Sequence, residues 1–308
     1  MMMPTTRKTG TGGFVLLLST VIACFAITTA AAPQKALKKA TKGVASKGKY
    51  GAAVVFPAKG NFDPDKGTVE AVFSLSYSFG DKMGQGSSIS TFSVMSLSGR
   101  KGSGRGEQGA SWSVSIGQYQ GHDHLSMSST MFELTRQYDV PVTWFSCSLA
   151  PTNRPPFKAG EWHTLATTWQ RMGDAKNQYA LALYLDGKCV RKGTMPVSPM
   201  FGTSEIDPKD LLCFGNPRLM RGSLECLRLS NRVRTPEEIA AADKDGLVKD
   251  ADTRVFLDAE AVAKLKMKAA EDLVNREEKT IRVPPEGLLF GELEYVPGRK
   301  GKAMKFPE

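Results

Sequence analysis

The chain has 308 residues, 41% of them hydrophobic and 23% charged, with a formal net charge of +10 at pH 7. Eight cations and no acid lie before Gly51, so the remainder carries a net charge of only +2. A nearly balanced body excludes nucleic acid as its partner, and the absence of any C-x-x-C pair excludes a zinc ribbon or a thioredoxin-like redox site.

Arg7 and Lys8 precede an apolar run over 14–27, and small residues fill 28–32. A charged start, a short apolar core and an A-x-A-like exit predict a secretory signal peptide over 1–32. The run is shorter than the roughly 20 residues a membrane span needs. Cleavage falls after Ala31 or Ala32. Val21-Ile22-Ala23-Cys24 also resembles a lipobox, which would place a lipid on Cys24 and leave the chain anchored rather than free. Residues 33–49 form a Lys-rich linker with Lys35, Lys38, Lys39, Lys42, Lys47 and Lys49. A solvated tail is the preferred reading, with a weak, salt-sensitive contact to an anionic envelope surface as the sharper one.

From Gly51 to Asn231 the chain reads as short β-runs separated by Gly, Ser, Pro and Asp. Strands are predicted over 52–56, 68–78, 89–98, 111–118, 125–133, 142–149, 162–170, 179–186, 211–214 and 223–230. Many short strands without helical periodicity between them predict an all-β sandwich or barrel. Val69, Ala71, Phe73 and Leu75 alternate with Glu70, Val72, Ser74 and Ser76, so one face of that strand is buried. Asp186-Gly187 directly after a strand marks a hairpin turn. Residues 99–109 form a Gly-rich basic loop without the Lys-Ser/Thr ending of a phosphate cradle. In His122-Asp123-His124 the two imidazoles could share a face, but no third ligand is close in sequence, so a polar strand entry is preferred to a metal site.

Helix signals appear later. Thr235, Pro236 and Glu238 form a capping box that starts a helix over 235–242. Residues 247–308 form a C-terminal extension. Within it, Val262, Leu265, Ala269 and Leu273 have the spacing of one amphipathic helix over 259–275. A Pro284-Pro285 break precedes a strand-like run over 288–296, and a strand is expected over 302–306. The motif GRKGKAMKFP at 298–307 echoes GKYGAAVVFP at 48–57. It reads either as the lead-in to a second module or as an added strand on the existing body. The added strand is favoured, since Met304 and Phe306 at an open edge would invite aggregation.

Four cysteines follow Cys24: Cys147, Cys189, Cys213 and Cys226. In an oxidising compartment they permit two disulfides, and as small apolar residues they suit a buried reduced state equally well. Cys213 and Cys226 lie on consecutive predicted strands joined by a short connection, which makes them the expected neighbours.

Several segments together resemble the laminin-G-like, concanavalin A-like lectin/glucanase family. They are Gly60-Asn61-Phe62-Asp63-Pro64 with Gly67-Thr68-Val69-Glu70-Ala71, Gly160-Glu161-Trp162-His163-Thr164-Leu165-Ala166, and Leu183-Tyr184-Leu185-Asp186-Gly187-Lys188. Gly222-Ser223-Leu224-Glu225-Cys226-Leu227-Arg228-Leu229-Ser230-Asn231-Arg232, running into Thr235-Pro236-Glu237-Glu238-Ile239, resembles the family's closing strand and short helix. The resemblance covers residues 50–246 and implies a two-sheet antiparallel jelly roll. It also implies a secreted module binding glycan or an extracellular protein, because the fold hosts lectins and adhesion modules as well as hydrolases. The alternating Glu-x-Asp-x-x-Glu strand of the hydrolase branch has no counterpart here, so no catalytic residue is assigned. A structural or adhesive segment without a small ligand is the alternative, and a carbohydrate-active enzyme the third. Trp112, Tyr119 and Trp144 lie near predicted loops where a sugar could stack. Asp63 and Asp65, with Asn61, could supply oxygens to calcium. Trp162 and Trp169 lie an odd number of residues apart on one strand and therefore face opposite sides. The oligomeric state has no signature in the sequence.

Overall fold

The structure, a computed structural model, describes residues 51–78, 89–98, 111–119, 122–130, 143–148, 157–173, 178–196, 206, 208–216, 220–274 and 281–307. The expected signal peptide, Cys24, the basic linker and the loop over 99–109 lie outside the described residues. In chain order the strands are β1 (Ala52–Pro57), β2 (Lys66–Leu75), β3 (Ile89–Ser98), β4 (Ser111–Tyr119), β5 (His122–Thr130) and β6 (Thr143–Ser148). They continue as β7 (Trp162–Arg171), β8 (Gln178–Leu185), β9 (Lys188–Pro196), β10 (Leu211–Asn216) and β11 (Gly222–Ser230). The C-terminal part adds α1 (Pro236–Asp245), β12 (Thr253–Asp258), α2 (Ala259–Ala263), β13 (Met267–Lys268), α3 (Ala270–Val274), β14 (Leu288–Phe290), β15 (Glu294–Pro297) and β16 (Lys302–Lys305).

These strands form an all-β sandwich. One sheet runs β13-β14-β1-β10-β3-β4-β5-β6 and the other β15-β16-β11-β2-β7-β8-β9, with β12 also paired to β11. Among the described pairings all are antiparallel except β13 with β14. Strands distant in sequence sit side by side, as where β10 lies between β1 and β3 and β11 lies beside β2. Alternation explains which side chains fill the interior. Val69, Ala71, Phe73 and Leu75 of β2 meet Leu224, Leu227 and Leu229 of β11 and Leu165 and Trp169 of β7 in one cluster. Trp169 is 1% exposed and its indole N–H donates to the Asp63 carbonyl at 2.9 Å. Gly67 is needed beside it, because a Cβ there would stand 2.2 Å from the indole ring. Trp162 lies on the opposite face, packed with Val72 and Phe256. The odd spacing of the two tryptophans therefore reads correctly.

The Asp186-Gly187 turn leads into β9, a strand the sequence reading had not separated from its hairpin. Both turn residues have positive φ, 49° and 70°, as a tight hairpin turn requires. Strand β5 begins at His122, so His122-Asp123-His124 belongs to the strand and pairs with Tyr119, Gln118 and Gly117 of β4.

The extension corrects two expectations. The helix expected over 259–275 is two helices, α2 and α3, with β13 between them. The reason is pairing: residues 266–268 give their carbonyls to β14, with Leu289 N–H donating to Lys266 and Gly291 N–H to Lys268. Val262 enters the interior core while Leu273 covers the outer face of the other sheet beside Ala53, Val55 and Cys213. One straight helix could not serve both. The run over 288–296 is likewise divided at Gly291, whose φ is +79° and where a Cβ would stand 2.5 Å from the Gly51 carbonyl. At that kink the chain leaves one sheet and enters the other, giving β14 and β15. Strand β16 pairs with β11 through Ser223 and Leu224, and Met304 and Phe306 are 0% and 1% exposed. The terminal segment is thus part of the sandwich.

Candidate functional site

Helix α1 packs on the outer face of the second sheet, where Ile239 meets Ala166, Ala182 and Tyr184. Its capping box is formed as expected: Thr235 Oγ1 accepts from Glu238 N–H at 3.3 Å and Glu238 Oε2 accepts from Thr235 N–H at 2.8 Å. Beneath the segment that follows it, Glu70 of β2 is 1% exposed yet fully partnered. Arg228 of β11 grips it with Nε at 2.7 Å and Nη2 at 2.9 Å, and Arg234 Nε lies at 3.2 Å. Arg234 also reaches Asp250 at 2.7 Å, and Arg228 Nη1 donates to the Val248 carbonyl at 2.8 Å. These bonds tie residues 246–253 to the sheet. Read locally, Glu70 is simply a polar member of an alternating strand. Its even-numbered position beside Val72 and Ser74 already placed it outward, but its partners come from a strand 158 residues later.

Beside this network lies a cavity of about 730 Å³. Its floor is made by outward-facing Val72, Cys226 and Phe256. Its walls are Asp245-Gly246-Leu247 after α1, Asp258, Ala259 and Glu260 at the start of α2, and the turn between β15 and β16. Tyr295 of β15 stands on the wall and is 41% exposed. Gly246, with φ 96°, ends α1 and lets the chain turn along the cavity rim.

The turn Gly298-Arg299-Lys300-Gly301 is locked from two directions. Glu225 of β11 accepts from Lys300 N–H at 2.6 Å and from Arg299 N–H at 3.2 Å. Gly298 is small enough to pass it, since a Cβ there would lie 3.0 Å from the Glu225 carboxyl carbon. The two cationic side chains meanwhile leave the cavity for the end of α1. Arg299 Nη2 donates to the Asp243 carbonyl at 2.9 Å and Lys300 Nζ to the Lys244 carbonyl at 2.8 Å. Cations there satisfy carbonyls that a helix end leaves open and suit its dipole. Burial pushes the Cys226 thiol up to about 12, with Glu225 adding to the rise and Arg299 opposing it. It is floor, not nucleophile.

A His–Asp pair occupies one end of the sandwich. His163 Nδ1 lies 3.0 Å from Asp186 Oδ2, and the ring stacks on Phe157 with centroids 3.7 Å apart. His163 Nε2 is buried without a hydrogen-bond partner, and Glu161 is the nearest acid at 3.8 Å. Asp186 Oδ1 also accepts from the Thr164 N–H at 3.0 Å, so the carboxylate ties the turn after β8 to β7.

The residues singled out from sequence fare unevenly. Trp112 and Tyr119 lie on β4 and Trp144 on β6, paired by backbone with Ser129, His122 and Ser128 respectively, while their side chains lie outside the described residues. Asp63, Asp65 and Asn61 lie in the turn before β2. Asp63 Oδ1 accepts from the Asp65 N–H at 2.9 Å, Asp65 pairs with Arg171 at 3.2 Å, and Asn61 donates to the Pro57 carbonyl at 2.9 Å. Each side chain is spent on shaping the turn before β2. Among the described residues no group of three or more His, Cys, Asp or Glu is placed to hold a metal.

The expected Cys213–Cys226 neighbourhood is also corrected. Neither cysteine is in a disulfide. Strand β10 belongs to one sheet and β11 to the other, and each cysteine faces outward: Cys213 packs with Val55 and Phe290, Cys226 with Val72 and Phe256. Sheets in a sandwich stand about 10 Å apart, so outward cysteines on both exceed the Cα separation of about 7 Å that a disulfide allows. The connection between them crosses from sheet to sheet and is not a hairpin.

No family model and no curated protein matches the sequence. Solved structures share its general build. One, concerning botulinum neurotoxin type C, whose cell entry depends on interaction with two ganglioside molecules, is 10% identical over 65% of this chain and 46% of that one, with a TM-score of 0.36. Another, from Bacteroides ovatus and provisionally assigned as a carbohydrate binding protein, is 12% identical over 68% and 50%, with a TM-score of 0.36. The binding domain of botulinum neurotoxin serotype C1 is 13% identical over 61% and 38%, with a TM-score of 0.29. The chain spans half or less of the length of these three structures. At such low identities and TM-scores the likeness carries no argument about what this chain binds.

Proposed function

We propose that the chain is an exported, non-catalytic binding module that takes carbohydrate at or outside the cell envelope. The observation that carries this reading is the cavity beside α1, where an exposed tyrosine ring and a half-buried phenylalanine meet a polar rim. Its volume of about 730 Å³ lies within the range of small-ligand sites. An aromatic face accepts the C–H face of a sugar, and carboxylates and backbone groups around it accept hydroxyl hydrogen bonds. The two best buried carboxylates at the cavity are committed elsewhere: Glu225 holds the β15–β16 turn, and Asp258 caps α2 by accepting from Ala261 N–H at 2.7 Å. This supports binding over hydrolysis. Export is supported by the charged start and apolar run at the N-terminus.

A glycan array, followed by calorimetry, tests the binding. Tyr295→Ala should weaken the best ligand by about tenfold, equivalent to about 1.4 kcal/mol, with the melting temperature unchanged. Trp112→Ala, Tyr119→Ala and Trp144→Ala form the comparison arm: if one of these abolishes binding and Tyr295→Ala does not, the site lies on β4–β6 instead. An array without any ligand leaves the structural or adhesive reading. Release of reducing sugar that Glu225→Gln and Asp258→Asn abolish would establish a hydrolase. The mass of the mature N-terminus tests export: Ala32 or Pro33 marks cleavage, and a lipid-modified Cys24 marks anchoring.

A further inference from the structure

We propose that the cavity beside α1 takes an uncharged sugar unit bearing a methyl-capped substituent such as an acetamido group, a reading that rests on the carbohydrate-binding function above. The inference starts from the charges around the cavity. Four carboxylates border it, Glu225, Asp245, Asp258 and Glu260. Against them stand Arg299, Lys300 and Lys302, with Lys264 held 2.7 Å from Glu260. The charges balance, and most are committed within the fold. Glu225 accepts from the Arg299 and Lys300 N–H groups, and Asp258 from the Ala261 N–H. Arg299 and Lys300 donate to the Asp243 and Lys244 carbonyls. Asp245 and Lys302, both exposed, are of opposite sign. A charged ligand would give up water for a site with no net charge to attract it.

The floor narrows the class further. Val72, Cys226 and Phe256 form it, packed with Leu247. The Cys226 thiol, pushed up to about 12 by burial, stays uncharged at neutral pH. A methyl group placed on that floor gains by leaving water, whereas a hydroxyl there loses its water without a strong partner in return. Tyr295, 41% exposed on the wall, offers its ring to the C–H face of the same sugar. Affinity drawn from an apolar floor and an aromatic wall is insensitive to salt screening.

Calorimetry with oligomers of N-acetylglucosamine, glucose, glucosamine and glucuronate, matched in length and linkage, tests this. The acetylated oligomer should bind at least about threefold more tightly than the glucose oligomer, as burial of one methyl group implies, and about tenfold more tightly than either charged one. Its Kd should change by less than about twofold between about 0.05 and about 0.5 M salt. Cys226→Ser, which sets a hydroxyl on the floor, should remove the advantage over glucose. An N-formyl oligomer, which lacks only the methyl, makes the same comparison with the protein unaltered and should bind about threefold more weakly than the acetylated one. A charged oligomer that binds as tightly as the acetylated one, or a Kd that follows salt, overturns the uncharged class. Equal binding of the formyl and acetyl oligomers overturns the methyl on the floor. Either result leaves carbohydrate binding standing. Failure of every saccharide to bind, here and on the array, overturns both readings together.

Discussion

Glu70 shows how a single residue can be misjudged by its neighbours in sequence. A lone acid in an apolar strand is costly unless it is paired, and here it holds two arginines from β11 and the segment after it. Removing one member of a buried charge set leaves the others uncompensated, at a cost of about 3–5 kcal/mol. Glu70→Ala should lose that much in a denaturant titration, whereas Glu161→Ala, an exposed acid, should lose less than about 0.5 kcal/mol. Cys213 and Cys226 make a second residue-scale test. Unfolded under non-reducing conditions, the mature protein should show both as free thiols by mass after alkylation. A disulfide joining them would contradict their placement on opposite sheets.

At the scale of elements, β7 is the strand on which the second sheet depends. It lies between β2 and β8, and Leu165 and Trp169 face the core while Ala166 packs against Tyr184 and Ile239 of α1. Leu165 is 1% exposed, so Leu165→Ala should cost about 2–5 kcal/mol. A loss below about 0.5 kcal/mol would place β7 at an edge. The extension is the other decisive element. Strand β14 covers the edge of β1, while β12 and β16 share the edge of β11. Deleting residues 251–308 strips both edges and uncovers Ala53, Val55 and Cys213. The truncated chain should aggregate or lose its cooperative thermal transition. If it keeps the melting temperature of the whole chain, the extension is an appendage and its docking contributes nothing.

The whole molecule should be acid-sensitive in a defined window. Arg232 hydrogen-bonded to Glu238 lowers that carboxyl to about 2. Asp250 also falls to about 2: burial alone would raise it, but the Thr253 hydroxyl and the Arg234 guanidinium together outweigh that. In the unfolded chain such groups titrate near about 4, so between about 4 and 2 the unfolded state binds more protons. Stability from these two groups is therefore complete above about pH 4 and is lost as pH falls through about 2. Melting temperature followed from pH 6 to pH 2 should fall mainly below about pH 4, and Asp250→Asn should flatten part of that fall. A profile unchanged by the substitution would show that Asp250 does not couple to folding.

The sequence alone was enough to determine the class of fold and most of the strands. A strand's face alternates every residue, so burial is written locally, and β3 was found with its observed bounds. The capping box of α1 was equally local, because its bonds span three residues. What lay beyond reach depended on which strands meet. Cys213 and Cys226 are close in sequence, but a crossover between sheets separates them. The spacing over 259–275 is helical, but the open edge of β14 claims residues 266–268 for a sheet. The candidate site belongs to this second kind. Its floor comes from β2, β11 and β12, its rim from α1 and α2, and its aromatic wall from β15, segments up to about 220 residues apart that only sheet pairing brings together. Long-range pairing is selected by the closing of one common core, and no local pattern carries that information.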